Sequence, residues 1–449
     1  MRFVVIGGDA AGMSAASRLK RNMPDSEVIV LEQSHDVSYS ACGMPYNIAD
    51  PDRTLDDLVV RQAEVFRTKQ GIDLRTGHRA EAIDPKNHSV QGVGEQGNPL
   101  DIHYDKLLIA TGASPIIPDL PGFDLDGVMA LKTLEDGRKI KSFIRSRGVK
   151  SVVIIGMGYI ALEMCEAFRE QDIEVNMVKP RPVFLPWMHP DLSRVVQEET
   201  ERHGVNLHLG LDIKAIEKGR NHLLNVVCEG IALQGHMVLV AMGVTPNSRM
   251  AADAGLELGP EGAISVDRSL RTSDPDIFSA GDCADAYHVV TGQKTWIPLA
   301  LRANRAGWGV ADTLAGKPVN LKGVAGTAVF KVFDLEVART GLSLKEAQTA
   351  GFHPVEVAIK APSRAHAHPG STTLYSEMVA DQGSGRLLGG QLVGLEGAVH
   401  RINALAVALH QRMTVREFSQ CDLAYAPPFS PVWDPLLTTA NQLLKKVTP

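Results

Sequence analysis

Two apolar runs, each passing straight into a glycine turn, dominate the hydrophobic pattern of this chain. Residues 2–6, Arg-Phe-Val-Val-Ile, predict a short strand that enters Gly7-Gly8-Asp9-Ala10-Ala11-Gly12. A helix is expected from Met13 to about Arg21, then a second strand, Glu27–Leu31, ending at Glu32. The order repeats further on: Ser151–Ile155 as a strand, Gly156-Met-Gly158-Tyr159-Ile160-Ala161 as the turn, Leu162–Gln171 as a helix and Ile173–Val178 as the next strand. Beyond about residue 325 the pattern changes. Val329–Val332, Glu336–Arg339, Val355–Lys360 and Ser376–Ala380 read as strands, with Gly351 and Gly370 punctuating two connections. Helices are expected at His400–Gln411 and about Asp434–Lys446, on either side of the proline-rich Tyr425-Ala-Pro-Pro-Phe-Ser-Pro431. The fold class is therefore α/β, with two Rossmann-like dinucleotide-binding domains and an α+β C-terminal domain.

A chain of 449 residues has room for two to four domains. Its 46 basic and 52 acidic residues give a net charge of −6 without a basic tract, which argues against nucleic acid or an anionic membrane as partner. The five cysteines, at 42, 165, 228, 283 and 421, are widely separated and form no Cys-x-x-Cys, against a disulfide framework, a structural zinc site or any other metal site. No N-terminal signal and no membrane-length apolar run is evident, and a cytoplasmic location is expected.

The chemistry begins at the turns. Strand, glycine turn, helix, strand and an acid 20 residues past Gly12 make a dinucleotide fingerprint. Backbone N–H groups at the helix start meet the pyrophosphate, and Glu32 can bond a ribose hydroxyl. Asp9 departs from the pattern, since it holds the middle-glycine position where close backbone approach is wanted. Two such fingerprints about 150 residues apart point to an enzyme holding two dinucleotides. The second ends differently: its strand runs into Lys179-Pro180-Arg181 instead of an acid. Two cations there suit a ribose 2′-phosphate, so NADPH is expected at least as readily as NADH. Between the fingerprints, Asp105–Gly112 (with Ala110 and Thr111) and Ala241–Asn247 (with Gly243) read as domain crossings. Ser273–Asp282 ends a strand on a carboxylate suited to a polyol. Ser38-Tyr-Ser-Ala-Cys42-Gly-Met-Pro45-Tyr46-Asn47 follows the first unit closely, so Cys42 falls near the flavin if that unit holds one. As a thiolate it could attack a disulfide; the alternative is a cysteine packed as a small hydrophobe.

In this order the motifs resemble the flavoprotein disulfide reductases, over essentially the whole chain. The Ser38-Tyr-x-x-Cys42-Gly-x-Pro45-Tyr46 stretch and the Tyr425-Ala-Pro-Pro-Phe-Ser tail are similar to the single-cysteine branch that includes coenzyme A-disulfide reductases and persulfide reductases. The resemblance implies FAD on a discontinuous domain of residues 1–115 and 245–322, NAD(P)H on 116–244, and homodimerisation through 323–449. Longer relatives append a sulfurtransferase-like domain, which is not expected here because the sequence stops at Pro449. The implied FAD contacts are Gly7, Gly8, Ala10, Ala11, Gly12, Glu32, Gln33, Ala110, Thr111, Gly112, Gly281, Asp282, Leu299 and Ala300. Those for the nicotinamide cofactor are Gly156, Gly158, Tyr159, Ile160, Glu163, Lys179, Arg181 and Gly243. Cys42 would cycle between thiolate and a mixed disulfide with coenzyme A. The position five residues on, a second cysteine in two-cysteine relatives, is Asn47. Tyr425 from the partner subunit would protonate the leaving thiolate, and His368 would stand where the relatives carry a second tyrosine. Arg18, Arg21, Ser38, Arg61 and Asn304 would contact the coenzyme A substrate.

Two further readings stay open. One is an NAD(P)H oxidase or peroxidase working through a Cys42 sulfenic acid. The other is an electron-transfer flavoprotein or redox sensor with a protein partner. The thiolate form of Cys42 is expected to be favoured by the adjacent helix N-terminus and by oxidised flavin.

Overall fold

The structure, a computed structural model, describes residues 1–221 and 223–448. Three five-stranded sheets organise it. In the first, Ile277–Ser279, Lys106–Ile109, Arg2–Ile6, Glu27–Leu31 and Asp73–Arg75 lie side by side, all parallel. Their apolar residues are buried on both faces, as covered parallel strands require. The second has the same arrangement: Asn206–Leu209, Glu174–Lys179, Ser151–Ile155, Met237–Val240 and Val128–Met129. In both, the first glycine-turn strand is central, so each turn opens beyond the carboxyl ends of the strands where such sheets bind ligands.

The stretch just after the first expected crossing, Asp105–Gly112, pairs with the second, Ala241–Asn247. Ala113–Pro115 and Val244–Pro246 form an antiparallel ribbon, Thr245 opposite Ser114. Asn247 fastens it: its Nδ2 donates to Thr111 O at 2.8 Å, and Thr111 Oγ1 donates to Asn247 O at 2.6 Å.

The third sheet is antiparallel, in the order Ala328–Val332, Leu335–Gly341, Leu387–Gly394, Thr373–Asp381 and Pro354–Pro362. Four of these strands match expectation to within a few residues at each end. The fifth, Leu387–Gly394, is central and wholly buried, and the pattern did not predict it. Its Leu-Leu-Gly-Gly-Gln-Leu-Val-Gly composition has poor strand propensity. The glycines are needed for close packing: a Cβ on Gly389 would stand 2.2 Å from Leu342 O, and one on Gly390 2.6 Å from Leu405 of the covering helix Ala398–His410. The last helix is Pro435–Leu443. Among the described residues, no helix is long and apolar enough to cross a membrane.

Candidate active site

At the first turn the backbone is shaped to admit a phosphate. Gly7 has φ +111°, and a Cβ there would meet Ala110 O at 2.2 Å; one on Gly12 would meet Gly7 O at 1.9 Å. The helix Ala10–Asn22 has Asp9 at its N-cap, yet Asp9 makes no side-chain capping bond. Elsewhere Thr133, Ser343 and Thr414 close complete capping boxes. The N-terminus beside the turn thus has no side-chain cap, which suits an anion. Glu32 braces the turn from the neighbouring strand: Oε2 accepts from Gly8 N at 2.7 Å and Oε1 from Ser34 N at 2.7 Å. Lone pairs remain for a ribose hydroxyl, and Gln33 beside it is exposed.

Asp282 ends the strand Ile277–Ser279 by way of Gly281 (φ +88°), and Lys132 Nζ donates to its Oδ2 at 3.2 Å. Sequence reasoning missed Lys132; only the fold brings a residue 150 positions away onto Asp282. The helix Ala300–Leu314, capped by Leu299 without a side-chain bond, completes the rim. The donor set, cradle and uncapped helices fit FAD.

Cys42 is exposed on a short 3₁₀ turn, Ala41–Gly43, that leads into the helix Met44–Ala49. The expected lowering of its pKa is not what the chain's own groups produce. Desolvation first, then Glu163, with Asp282 and Asp9 adding, push the thiol up, and Lys132 opposes them. Desolvation is the largest of these causes, and Glu163 is the nearest carboxylate in weight behind it. The position of the absent second cysteine is structurally committed. Asn47 is buried, its Nδ2 donates to Thr54 O at 2.7 Å and its backbone O accepts from Lys141 at 2.9 Å. Tyr46 Oη donates to Glu163 Oε1 at 2.8 Å, tying this segment to the helix Tyr159–Arg169 of the second unit. Burial holds the Glu163 carboxyl up, the Tyr46 bond lowers it and Glu166 raises it. Cys165, Cys228 and Cys283 are buried. Burial raises the first two thiols, and Cys283 Sγ donates to Ile109 O at 3.5 Å.

The second turn repeats the first: Gly156 has φ +118°, and Gly158 caps the helix Tyr159–Arg169 without a side-chain bond. Tyr159 packs edge-on to Trp187 and tilted against Phe330 from the third sheet, while Ile160 stays exposed. Lys179 corrects the expectation of two phosphate-facing cations. It is the last residue of its strand and is buried, its Nζ donating to Phe184 O at 2.7 Å. Burial, then Arg181, lower its pKa. Arg181 alone is exposed.

Two family models match the chain. Residues 1–307 match the pyridine nucleotide-disulphide oxidoreductase family model, and residues 327–436 match the dimerisation domain of the same family. The chain belongs to this family. It is 38% identical to an NAD(P)H sulfur oxidoreductase (CoA-dependent) of Pyrococcus furiosus, over 98% of this chain and 99% of that one. An NADH oxidase of Methanocaldococcus jannaschii is 34% identical, with both chains covered completely. Among solved structures, an NAD-dependent persulfide reductase from A. fulgidus superposes with a TM-score of 0.96 at 34% identity, covering 99% of this chain and 83% of that one. As a pyridine nucleotide-disulphide oxidoreductase, the protein is an enzyme of an FAD- and NAD(P)H-dependent class, and it carries that class's dimerisation domain.

In this oxidoreductase the residues expected at the substrate fall into two groups. Arg21 and Arg61 are exposed and form no ion pair among the described residues. Arg18 is engaged: it makes a two-pronged pair with Asp312 at 2.7 Å and lies over Trp308 at 4.9 Å. Asn304 Oδ1 accepts from Ser14 Oγ at 2.7 Å, joining two helices of the FAD-type unit. Ser38 takes the left-handed backbone, φ +50°, and its O accepts from Val60 N at 2.9 Å. The turn that holds His368 and the stretch that holds Tyr425 are joined through their backbones. Ala365 N donates to Pro427 O at 3.1 Å, and His368 N donates back to Ala365 O at 2.9 Å. Around them Tyr425, Phe429, Val432 and Trp433 are exposed, an apolar face of the dimerisation domain.

Proposed function

We propose that the protein is a homodimeric FAD-dependent reductase in which Cys42 reduces coenzyme A disulfide or a related persulfide or polysulfide, with NADPH as the favoured electron source. The observation that carries this reading is the state of the Cys42 segment: one exposed thiol, with the second-cysteine position filled by a buried, hydrogen-bonded Asn47. No local disulfide can form, so the oxidised form of Cys42 is a mixed disulfide, a persulfide or a sulfenic acid, and a disulfide substrate makes it the first of these. The names of the CoA-dependent and persulfide-reducing relatives support that substrate class. The proposal includes the division into 1–115 with 245–322, 116–244 and 323–449. Each part holds one five-stranded sheet, and the Ala113–Pro115 and Val244–Pro246 ribbon makes the crossing.

Bound FAD and NAD(P)H supply two electrons; the remaining steps belong to the chain. The Cys42 thiolate attacks one sulfur of the substrate disulfide and expels the other as thiolate. Tyr425 of the partner subunit, with His368 of the same tail region, gives that thiolate a proton. Two electrons then split the mixed disulfide, returning the Cys42 thiolate and releasing the second substrate sulfur as a thiolate, which takes its proton from solvent. Tyr46 and Glu163 hold the Cys42 segment against the second unit throughout.

Turnover of the purified enzyme with NADPH and coenzyme A disulfide, against oxygen and peroxide, tests the reading. Disulfide should be the fastest acceptor. Cys42→Ser should keep its flavin and accept hydride, yet lose disulfide reduction by at least ~10³-fold. Undiminished turnover in that variant would remove Cys42 from the mechanism. Oxygen as the preferred acceptor would select the oxidase reading that the M. jannaschii relative's name suggests.

A further inference from the structure

The second fingerprint shows what a side chain at the middle-glycine position would encounter. Gly158 has φ −89° and ψ −171°, ordinary extended backbone, and a Cβ built on it meets nothing within 4 Å. Protein sterics therefore do not demand glycine there, so the pressure for it comes from the approaching dinucleotide. Asp9 occupies the corresponding place in the first turn with nearly the same backbone, φ −107° and ψ −151°. Its Cβ thus leaves the backbone in the direction that the second turn leaves open for a dinucleotide, and its carboxylate does not turn back to cap its own helix. Its Oδ1 is shielded from solvent and has no hydrogen-bond partner. An ionised carboxylate held that way beside a diphosphate would be desolvated and repelled, with the Tyr39 backbone N–H offsetting only part of the cost. A carboxylic acid would instead have a proton to give, and the phosphate an oxygen to receive it.

We propose that Asp9 is a cofactor-binding residue that works as a neutral acid, donating a hydrogen bond from the first turn to a phosphate oxygen of FAD. The proposal rests on FAD occupying the first fingerprint, as in the family to which the chain belongs. The groups facing Asp9 agree with it. Glu32, from the end of the strand Glu27–Leu31, and Asp282, beyond the strand Ile277–Ser279, both disfavour a further negative charge. Lys132 and the Tyr39 backbone N–H offset part of this, and the Tyr39 phenol and Cys42 thiol nearby are themselves pushed up, desolvation first. Burial, then Glu32, already bring the Asp9 carboxyl up to about 6 in the chain alone. The diphosphate's charges raise it further, so binding FAD above that pH takes up one proton from solvent. Affinity is complete below the value of the free chain and falls as pH rises toward the value of the complex.

Flavin release on dilution of the holoenzyme, followed by flavin fluorescence between pH 5.5 and 9, tests this apart from any disulfide turnover. The wild-type Kd should rise with pH by up to about tenfold per unit over part of that range. Asp9→Asn keeps a donor without a charge and should flatten the profile, binding FAD more tightly than wild type at pH 8. Asp9→Gly, which restores the usual turn residue, should flatten it as well. Parallel pH profiles in wild type and both variants would overturn the proposal, as would weaker binding by Asp9→Asn at every pH. Loss of disulfide reduction alone, with this pH linkage intact, would instead count against the proposed function.

Discussion

Lys179 and Arg181 stand two positions apart at the end of one strand and have separate tasks. The Lys179 ammonium is buried against Phe184 O and shapes the loop that follows, whereas Arg181 is exposed and, under the proposed NADPH reading, is the cation left to meet a 2′-phosphate. Arg181→Ala should therefore weaken NADPH by about 1–3 kcal/mol, roughly 5- to 150-fold, and leave NADH nearly unchanged. Lys179→Met should instead raise KM for both cofactors together, because it releases the loop they share. Steady-state kcat/KM for each cofactor separates the two outcomes. A selective loss of NADPH in Lys179→Met would return that lysine to the phosphate. Cys42 carries a related lesson about charge. Its immediate surroundings are acidic, with Lys132 as the opposing cation, so its thiolate depends on what the holoenzyme adds.

At the scale of elements, the strand Leu387–Gly394 is the part of the third sheet most sensitive to added volume. It lies between Leu335–Gly341 and Thr373–Asp381 and beneath the helix Ala398–His410. A methyl on Gly390 would stand 2.5 Å from Glu377 O and 2.6 Å from Leu405 Cδ2, so strand and helix must separate. Gly390→Ala should cost on the order of 1–3 kcal/mol and lower Tm in a thermal melt. Gly97→Ala serves as the comparison: it lies in an exposed turn at φ +76° with nothing within 4 Å, so its cost is backbone strain alone. Equal melts for Gly390→Ala and wild type would show that the helix can move away freely.

For the whole molecule, the question is where Tyr425 acts. It belongs to an exposed apolar stretch with Phe429, Val432 and Trp433, on the domain that matches the family's dimerisation model. If the proposed shared site is correct, a heterodimer of Cys42→Ser and Tyr425→Phe chains contains one complete site of two. Mixing these two impaired homodimers in equal amounts under conditions of verified subunit exchange should then recover activity toward about a quarter of wild type, since half the dimers become heterodimers and each has one complete site of two. Failure to recover, or a fully active monomer, would place the proton donor within the same chain as Cys42.

The two glycine fingerprints, their strands and the alternation of elements were legible in the sequence because each is local. A strand of continuous apolar residues, a turn of small residues and a helix follow one another within 30 residues, and parallel pairing in the structure reproduces them. Cys42 with Asn47, and the Tyr425 tail, were legible for the same reason, as short contiguous motifs. What the tertiary structure decided involves residues distant in sequence. Lys132 reaches Asp282, Tyr46 reaches Glu163, and the Ala365–His368 turn meets Pro427, none of which has a local signal. Leu387–Gly394 escaped because its glycines serve packing against Leu342 and Leu405 rather than strand propensity. Lys179 was misjudged because charge is visible in a sequence, but the direction of a side chain is not. Asp9 falls between the two cases: the sequence marks it as a departure, and the fold shows that it caps no helix and leaves Oδ1 without a hydrogen bond.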